Sequence, residues 1–181
     1  LELEDDFSWN GRYYVYGYGK FQGSRTQLES AITLAYDTYG TVVDSNSKLV
    51  WKRYRSTQAS IDGIVPVTSG DSIVNAVVAV SNYLGADFNA VSYMEQGHTA
   101  VETFDNIRGV HGISLTGITY EKALSYVGDG SPVIARIGED EYIIITAYNS
   151  SEIAYIEAST GAQKTASMNE AGKMFSQGGN I

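Results

Sequence analysis

The residues of this chain whose types best suit acyl transfer are a hydroxyl beside a carboxylate, in Gly70-Asp71-Ser72, and two imidazoles, His98 and His111. A nucleophilic serine needs a base to take its proton and backbone donors to hold the oxyanion. Here Ile73 and Val74 follow Ser72 in place of glycines, and no histidine lies beyond position 111. The simpler reading makes Asp71 a helix N-cap whose carboxylate accepts a backbone N–H, with Ser72 as the first helical residue. His98 lies in Gln-Gly-His-Thr and His111 in Gly-Val-His-Gly. Neither is read as having a carboxylate partner at i, i+3 or i+4, so both read as loop or surface residues rather than metal ligands or bases. The chain has no Cys, which removes disulfides, thiolate nucleophiles and Cys-ligated zinc, and it has no Asp-x-Asp-x-Asp-Gly calcium loop. No cofactor and no metal are expected.

The 181 residues are 43% hydrophobic and 18% charged, inside the range of globular chains. No apolar run approaches the roughly 18 residues of a membrane span. Residues 1–6 are Leu-Glu-Leu-Glu-Asp-Asp, without the basic start of a signal peptide. Membrane insertion is therefore not expected. Twelve Lys and Arg against twenty-one Asp and Glu leave a formal charge of -9, a field that repels phosphate backbones, so nucleic acid is not expected as a partner. The start at Leu1 reads as a processed chain or an excised fragment. The absence of Cys suits both the cytosol and a bacterial exterior.

Periodicity supplies the elements that would position these groups. Residues 12–18 (Arg-Tyr-Tyr-Val-Tyr-Gly-Tyr) read as a strand. Tyr13, Tyr14, Tyr16, Tyr18 and Phe21 could stack on sugars or bases, with alternation turning about half of them inward. Residues 26–39 read as an amphipathic helix, with Thr26 and Glu29 at capping-box spacing and Gly40 as the stop. Residues 41–44 and 49–52 then form a hairpin, which makes the first unit βαββ. Periodicity fails over 53–70, and the boundary is placed at 56–61. Residues 71–83 predict a mostly buried helix ending at Gly85, whereas 89–108 resist assignment. Residues 119–127 read as a short helix, followed by strands at 132–137, 142–148 and 153–157 in an antiparallel meander. Ser167 and Glu170 form a capping box before 171–175.

Gly-Asp-Ser also surrounds the nucleophile of chymotrypsin-like proteases and of Gly-Asp-Ser-Leu lipases, but the partner residues of both are missing here. A longer match concerns order and spacing. From about Gly70 to the C-terminus the chain resembles the papain-like peptidases of the bacteriocin-processing, double-glycine class. In that family a nucleophilic Cys opens a buried helix ending Tyr-Tyr-Gly or Tyr-Leu-Gly; here the helix opens at Ser72 and ends Tyr83-Leu84-Gly85. The family's later strands and turn correspond to Gly130-Ser-Pro-Val-Ile134, Glu141-Tyr-Ile-Ile-Ile-Thr-Ala-Tyr-Asn149 and Glu157-Ala-Ser-Thr-Gly161. The chemical positions differ: Ser72 for Cys, Glu141 for the base His, and Glu157-Ala158 for Asp-Pro. A serine hydroxyl beside carboxylates lacks a base matched to neutral pH, so this resemblance implies a scaffold without papain-type hydrolysis. Residues 12–53 also resemble, more loosely, the SPOR peptidoglycan-binding modules.

The expectation is an α+β protein: an acidic linker at 1–11, a small βαββ module at 12–55, a linker at 56–67 and a papain-like lobe at 68–181, in which a helix packs on an antiparallel sheet. The cleft residues are Asp71, Ser72, Glu141, Tyr142 and Glu157. The resemblance implies a non-catalytic pseudopeptidase module of a bacterial surface or secreted protein, part of a larger chain, binding a peptide or protein or serving as a scaffold. The alternatives are a hydrolase using Ser72 and a cell-wall glycan binder acting through the tyrosine-rich first strand.

Overall fold

The computed structural model describes residues 11–53 and 56–178. The protein is α+β, and it divides into two compact units, Leu1–Arg55 and Ser56–Ile181. The acidic stretch expected as a linker at 1–11 lies, except for Gly11, outside the described residues.

The first unit runs β1 (Tyr13–Gly17), β2 (Lys20–Arg25), α1 (Leu28–Asp37), β3 (Thr41–Val43) and β4 (Leu49–Lys52). It forms one antiparallel sheet in the order β2-β1-β3-β4. The expected βαββ order is thus corrected to ββαββ. The missing strand follows a two-residue turn in which Tyr18 and Gly19 both have positive φ, 49° and 74°, the twist that joins tightly paired strands. Lys-Phe-Gln-Gly-Ser-Arg has no β-branched residue, so β2 is a strand because β1 offers it a ladder. Helix α1 also starts later than expected. Its N-cap is Gln27 with no side-chain cap, so Glu29 falls one position short of a capping box with Thr26. Tyr39, read as part of the apolar stripe, lies beyond the helix at φ 51° and is exposed. The helix instead buries Ala31, Ile32 and Ala35, and the sheet contributes Val15, Val42 and Trp51 to the buried set.

The second unit contains β5 (Ala59–Ser60), α2 (Ser72–Tyr83), α3 (Ala90–Glu95), α4 (Ala100–Asp105), α5 (Tyr120–Gly128), β6 (Val133–Arg136), β7 (Tyr142–Tyr148), β8 (Glu152–Glu157), β9 (Gln163–Ser167) and α6 (Met168–Gln177). The sheet is antiparallel in the order β5-β7-β8-β9, with β6 also paired to β7. Consecutive Ile143, Ile144 and Ile145 are each at most 1% exposed, so both faces of β7 are covered. Helices α2 and α5 lie against β7, while α3 and α4 pack on α2 and α6 packs on β8 and β9. This double cover explains why α2 is buried from Asn75 to Ser81 and why its sequence carries so little polar surface. The stretch 89–108 resolves into α3 and α4. Thr99 and Glu102 form a full capping box at the start of α4, as Ser167 and Glu170 do for α6.

Burial of a charge inside α2 has no compensating partner, so Val78→Asp should abolish cooperative folding of the second unit, read as loss of near-UV CD. Trp51→Ala should cost about 3–5 kcal/mol in denaturant melts of the full chain, because Trp51 is 2% exposed under α1.

Candidate functional site

The start of α2 is pinned by hydrogen bonds to residues far away in the sequence. The Tyr142 backbone N–H donates to Ser72 Oγ at 2.9 Å, joining the first residue of the helix to the first residue of β7. The Tyr142 carbonyl accepts from Ala158 N–H at 3.0 Å, the residue after Glu157. The Ala158 carbonyl in turn accepts from Asn75 Nδ2 at 3.0 Å. Asn75 completes the circuit on its own helix: Nδ2 donates to the Gly70 carbonyl and Oδ1 accepts from Gly70 N–H, both at 2.8 Å. Five residues on three stretches of the chain thereby meet at one point. Ser72, Tyr142 and the chain at Ala158 are joined by these hydrogen bonds.

The side chains of the charged candidates point to different work. Asp71 has the extended N-cap backbone but makes no side-chain cap hydrogen bond, which corrects the expected capping carboxylate. The Gly70 N–H, one residue before the cap, donates to Asn75 Oδ1, and Asp71 is exposed. Glu141 precedes Tyr142 and is exposed, with its backbone carbonyl accepting from Ile137 N–H at 2.8 Å. The Glu157 carboxylate accepts from Lys164 Nζ at 2.7 Å and from the Thr160 hydroxyl. These bonds, that of Lys164 first, hold its carboxyl below the usual carboxylate range, and the same bond raises Lys164. Gly161 closes this turn at φ 72°, where its lack of a Cβ also leaves room for Pro66 and Thr68.

The two histidines are partnered, contrary to the expectation. His98 stacks on Tyr93, with centroids 3.8 Å apart, and its Nδ1 is 3.5 Å from Glu102, which sits four residues on. His111 Nδ1 lies 2.9 Å from Asp105 Oδ1, which also accepts from Gly112 N–H. Both carboxylates belong to α4, the helix whose capping box the sequence reading passed over. Both imidazoles are engaged locally, and no hydrogen bond among the described residues joins either to Ser72. Among the described residues, no group of three His, Asp or Glu could hold a metal ion.

Asn75, Lys164 and Thr160 are the site residues that sequence reasoning missed. Asn75 could have been noticed as a lone amide between Val74 and Ala76 in an otherwise apolar helix, a position that demands partners. Nothing local marks Lys164, since its acid lies on the neighbouring strand.

Asn75→Leu removes the amide and strands the Gly70 N–H and the Ala158 carbonyl, so it should cost about 2–4 kcal/mol in urea melts. Ser72→Ala leaves one backbone N–H without its partner and should cost about 1 kcal/mol. A depressed carboxylate pKa stabilises the fold above the unfolded value of about 4.3 and loses that effect as pH falls through the folded value. The stability difference between wild type and Lys164→Met should therefore be full at neutral pH and shrink as pH falls below the ordinary carboxylate range. The effect should be small and fall further with added salt, because the lysine side chain is 48% exposed.

No protein-family model matches this chain, and no curated protein or solved structure matches it either, so its site is read from geometry and from the order of its residues alone.

Proposed function

We propose that the Ser56–Ile181 unit is a peptidase-type scaffold that binds an extended peptide or protein segment without cutting it. The observation that carries this reading is the Tyr142 N–H donating to Ser72 Oγ, with carboxylates as the charged side chains on both strands that meet the helix start. The junction of helix and strand where a papain-like nucleophile and base would face each other is built, and its side chains are a hydroxyl and two acids. Glu141 and Glu157 are poorly matched to take a proton from a serine hydroxyl at neutral pH, Glu157 the more so for its bond to Lys164. Neither supplies the positive or N–H donors that an oxyanion needs. An exposed Asp71, Glu141 and the half-buried Tyr142 remain available to a ligand at this junction. The likeness in residue order to the double-glycine peptidases supports a bacterial surface or secreted setting.

Incubation of the full chain with a defined mixture of unstructured peptides, read by mass spectrometry, should return every peptide intact while the protein retains a subset. Ser72→Trp, which fills the junction, should abolish that retention with the far-UV spectrum unchanged. Cleavage that disappears in Ser72→Ala, or labelling of Ser72 by a fluorophosphonate, would establish a serine hydrolase instead. Absence of retained peptides would end the binding reading.

A further inference from the structure

The formal charge of -9 is unevenly carried. Leu1–Arg55 has seven Lys and Arg against seven Asp and Glu, whereas Ser56–Ile181 has five against fourteen, so the whole excess lies on the second unit. Net charge of one sign raises the local concentration of oppositely charged ligands and speeds their arrival. Any ligand of this unit therefore meets a negative field.

The junction at the start of α2 adds carboxylates to that field at close range. Ser72 and Tyr142 are joined by their 2.9 Å hydrogen bond, and the residue before each of them is an acid, Asp71 and Glu141. Glu141 is also the last of three consecutive acids, Glu139-Asp140-Glu141, between β6 and β7. All four acids are exposed, and among the described residues none of them makes an ion pair. The cations on the neighbouring strands are committed elsewhere. Lys164 Nζ is bonded to Glu157 at 2.7 Å, and Glu141 attracts it only through space. Arg136, at the end of β6, donates from Nε to the Gly138 carbonyl at 2.8 Å and from Nη2 to the Glu139 carbonyl at 2.6 Å.

We propose, on the reading of this junction as a peptide site, that its ligand is a cationic stretch of polypeptide, with Lys or Arg side chains set against Asp71 and the Glu139–Glu141 turn. An acidic segment would oppose both the field of the unit and these four carboxylates, and like charges brought together cost affinity. An apolar segment would leave any carboxylate it covered desolvated and unpaired. Among the described residues no group of three His, Asp or Glu could hold a metal ion, so the matching positive charges are those spread along a chain.

The test titrates the full chain, by fluorescence anisotropy, with three labelled Gly-Ser peptides of about twelve residues that carry Lys, Gln or Glu at the same positions. The Lys peptide should bind about tenfold more tightly than the Gln peptide at about 50 mM salt and lose most of that advantage by about 500 mM, and the Glu peptide should bind most weakly. Asp71→Asn with Glu141→Gln should weaken binding of the Lys peptide about threefold to tenfold at unchanged far-UV CD. Asp87→Asn removes an exposed carboxylate beyond the other end of α2, about 16 Å from Ser72 along the helix, and should leave the affinity unchanged. Binding of the Gln or Glu peptide as tight as that of the Lys peptide overturns the cationic assignment and leaves the peptide reading standing. Unaltered affinity in the double variant, or an equal loss in Asp87→Asn, overturns it too, because the attraction would then belong to net charge alone. Absence of binding by all three peptides overturns this inference, whereas the peptide reading falls only if the mixed peptides are also unretained. If the double variant does not fold, the ranking of the three peptides on wild type decides alone.

Discussion

The buried side-chain amide of Asn75 is the constraint on which the second unit's site depends. At 1% exposure it cannot be solvated, so each of its hydrogen-bonding groups must find a partner inside the protein. It finds them in Gly70 on one side and Ala158 on the other, 83 residues away in sequence. That requirement sets where the helix begins and which turn lies beside it. Ser72 then receives the Tyr142 N–H because the same turn has already positioned Tyr142 through Ala158. The arrangement is strict because a partly satisfied polar network costs more than an apolar core.

Around this fixed frame the charged side chains are unconstrained by burial, and their chemistry follows from their neighbours. Glu157 is drawn to Lys164 and Thr160 across the β8–β9 pair, which makes it a structural anion rather than a proton acceptor. The same division holds at the histidines: each imidazole is matched by an acid of α4 and serves the corner between short helices. The scaffold is thus specified by hydrogen bonds to backbone, while Glu157 and both histidines are engaged by their own neighbours.

In the first unit the logic is that of a one-sided sheet. Val15, Val42 and Trp51 face α1 and bury completely, and the alternation that sends them inward necessarily sends Tyr14, Tyr16 and Phe21 outward. The strand signal in residues 12–18 was legible because Tyr and Val suit a pleated surface. The second strand was not, because Phe21 is the one strand-favouring residue in Lys20–Arg25, which pairs only once Tyr18 and Gly19 turn the chain back. The exposed Tyr39 was misplaced for a related reason: a 3.6-residue spacing continues past Asp37 in the sequence although the helix does not.

What the residues determined unaided was local. Apolar spacing marked α2, α5, β7 and β8, the Ser167 and Glu170 pair marked the start of α6, and the loss of periodicity near position 56 marked the division between the units. Only the folded chain decided that Asn75 would be the tie, that Asp71 would leave its cap unfilled and that Lys164 would take the Glu157 carboxylate. The physical reason is that periodicity records burial, which every element expresses along its own length. Hydrogen-bond partners and charge pairs are settled across elements, by which strands and turns the core brings within about 3 Å of one another.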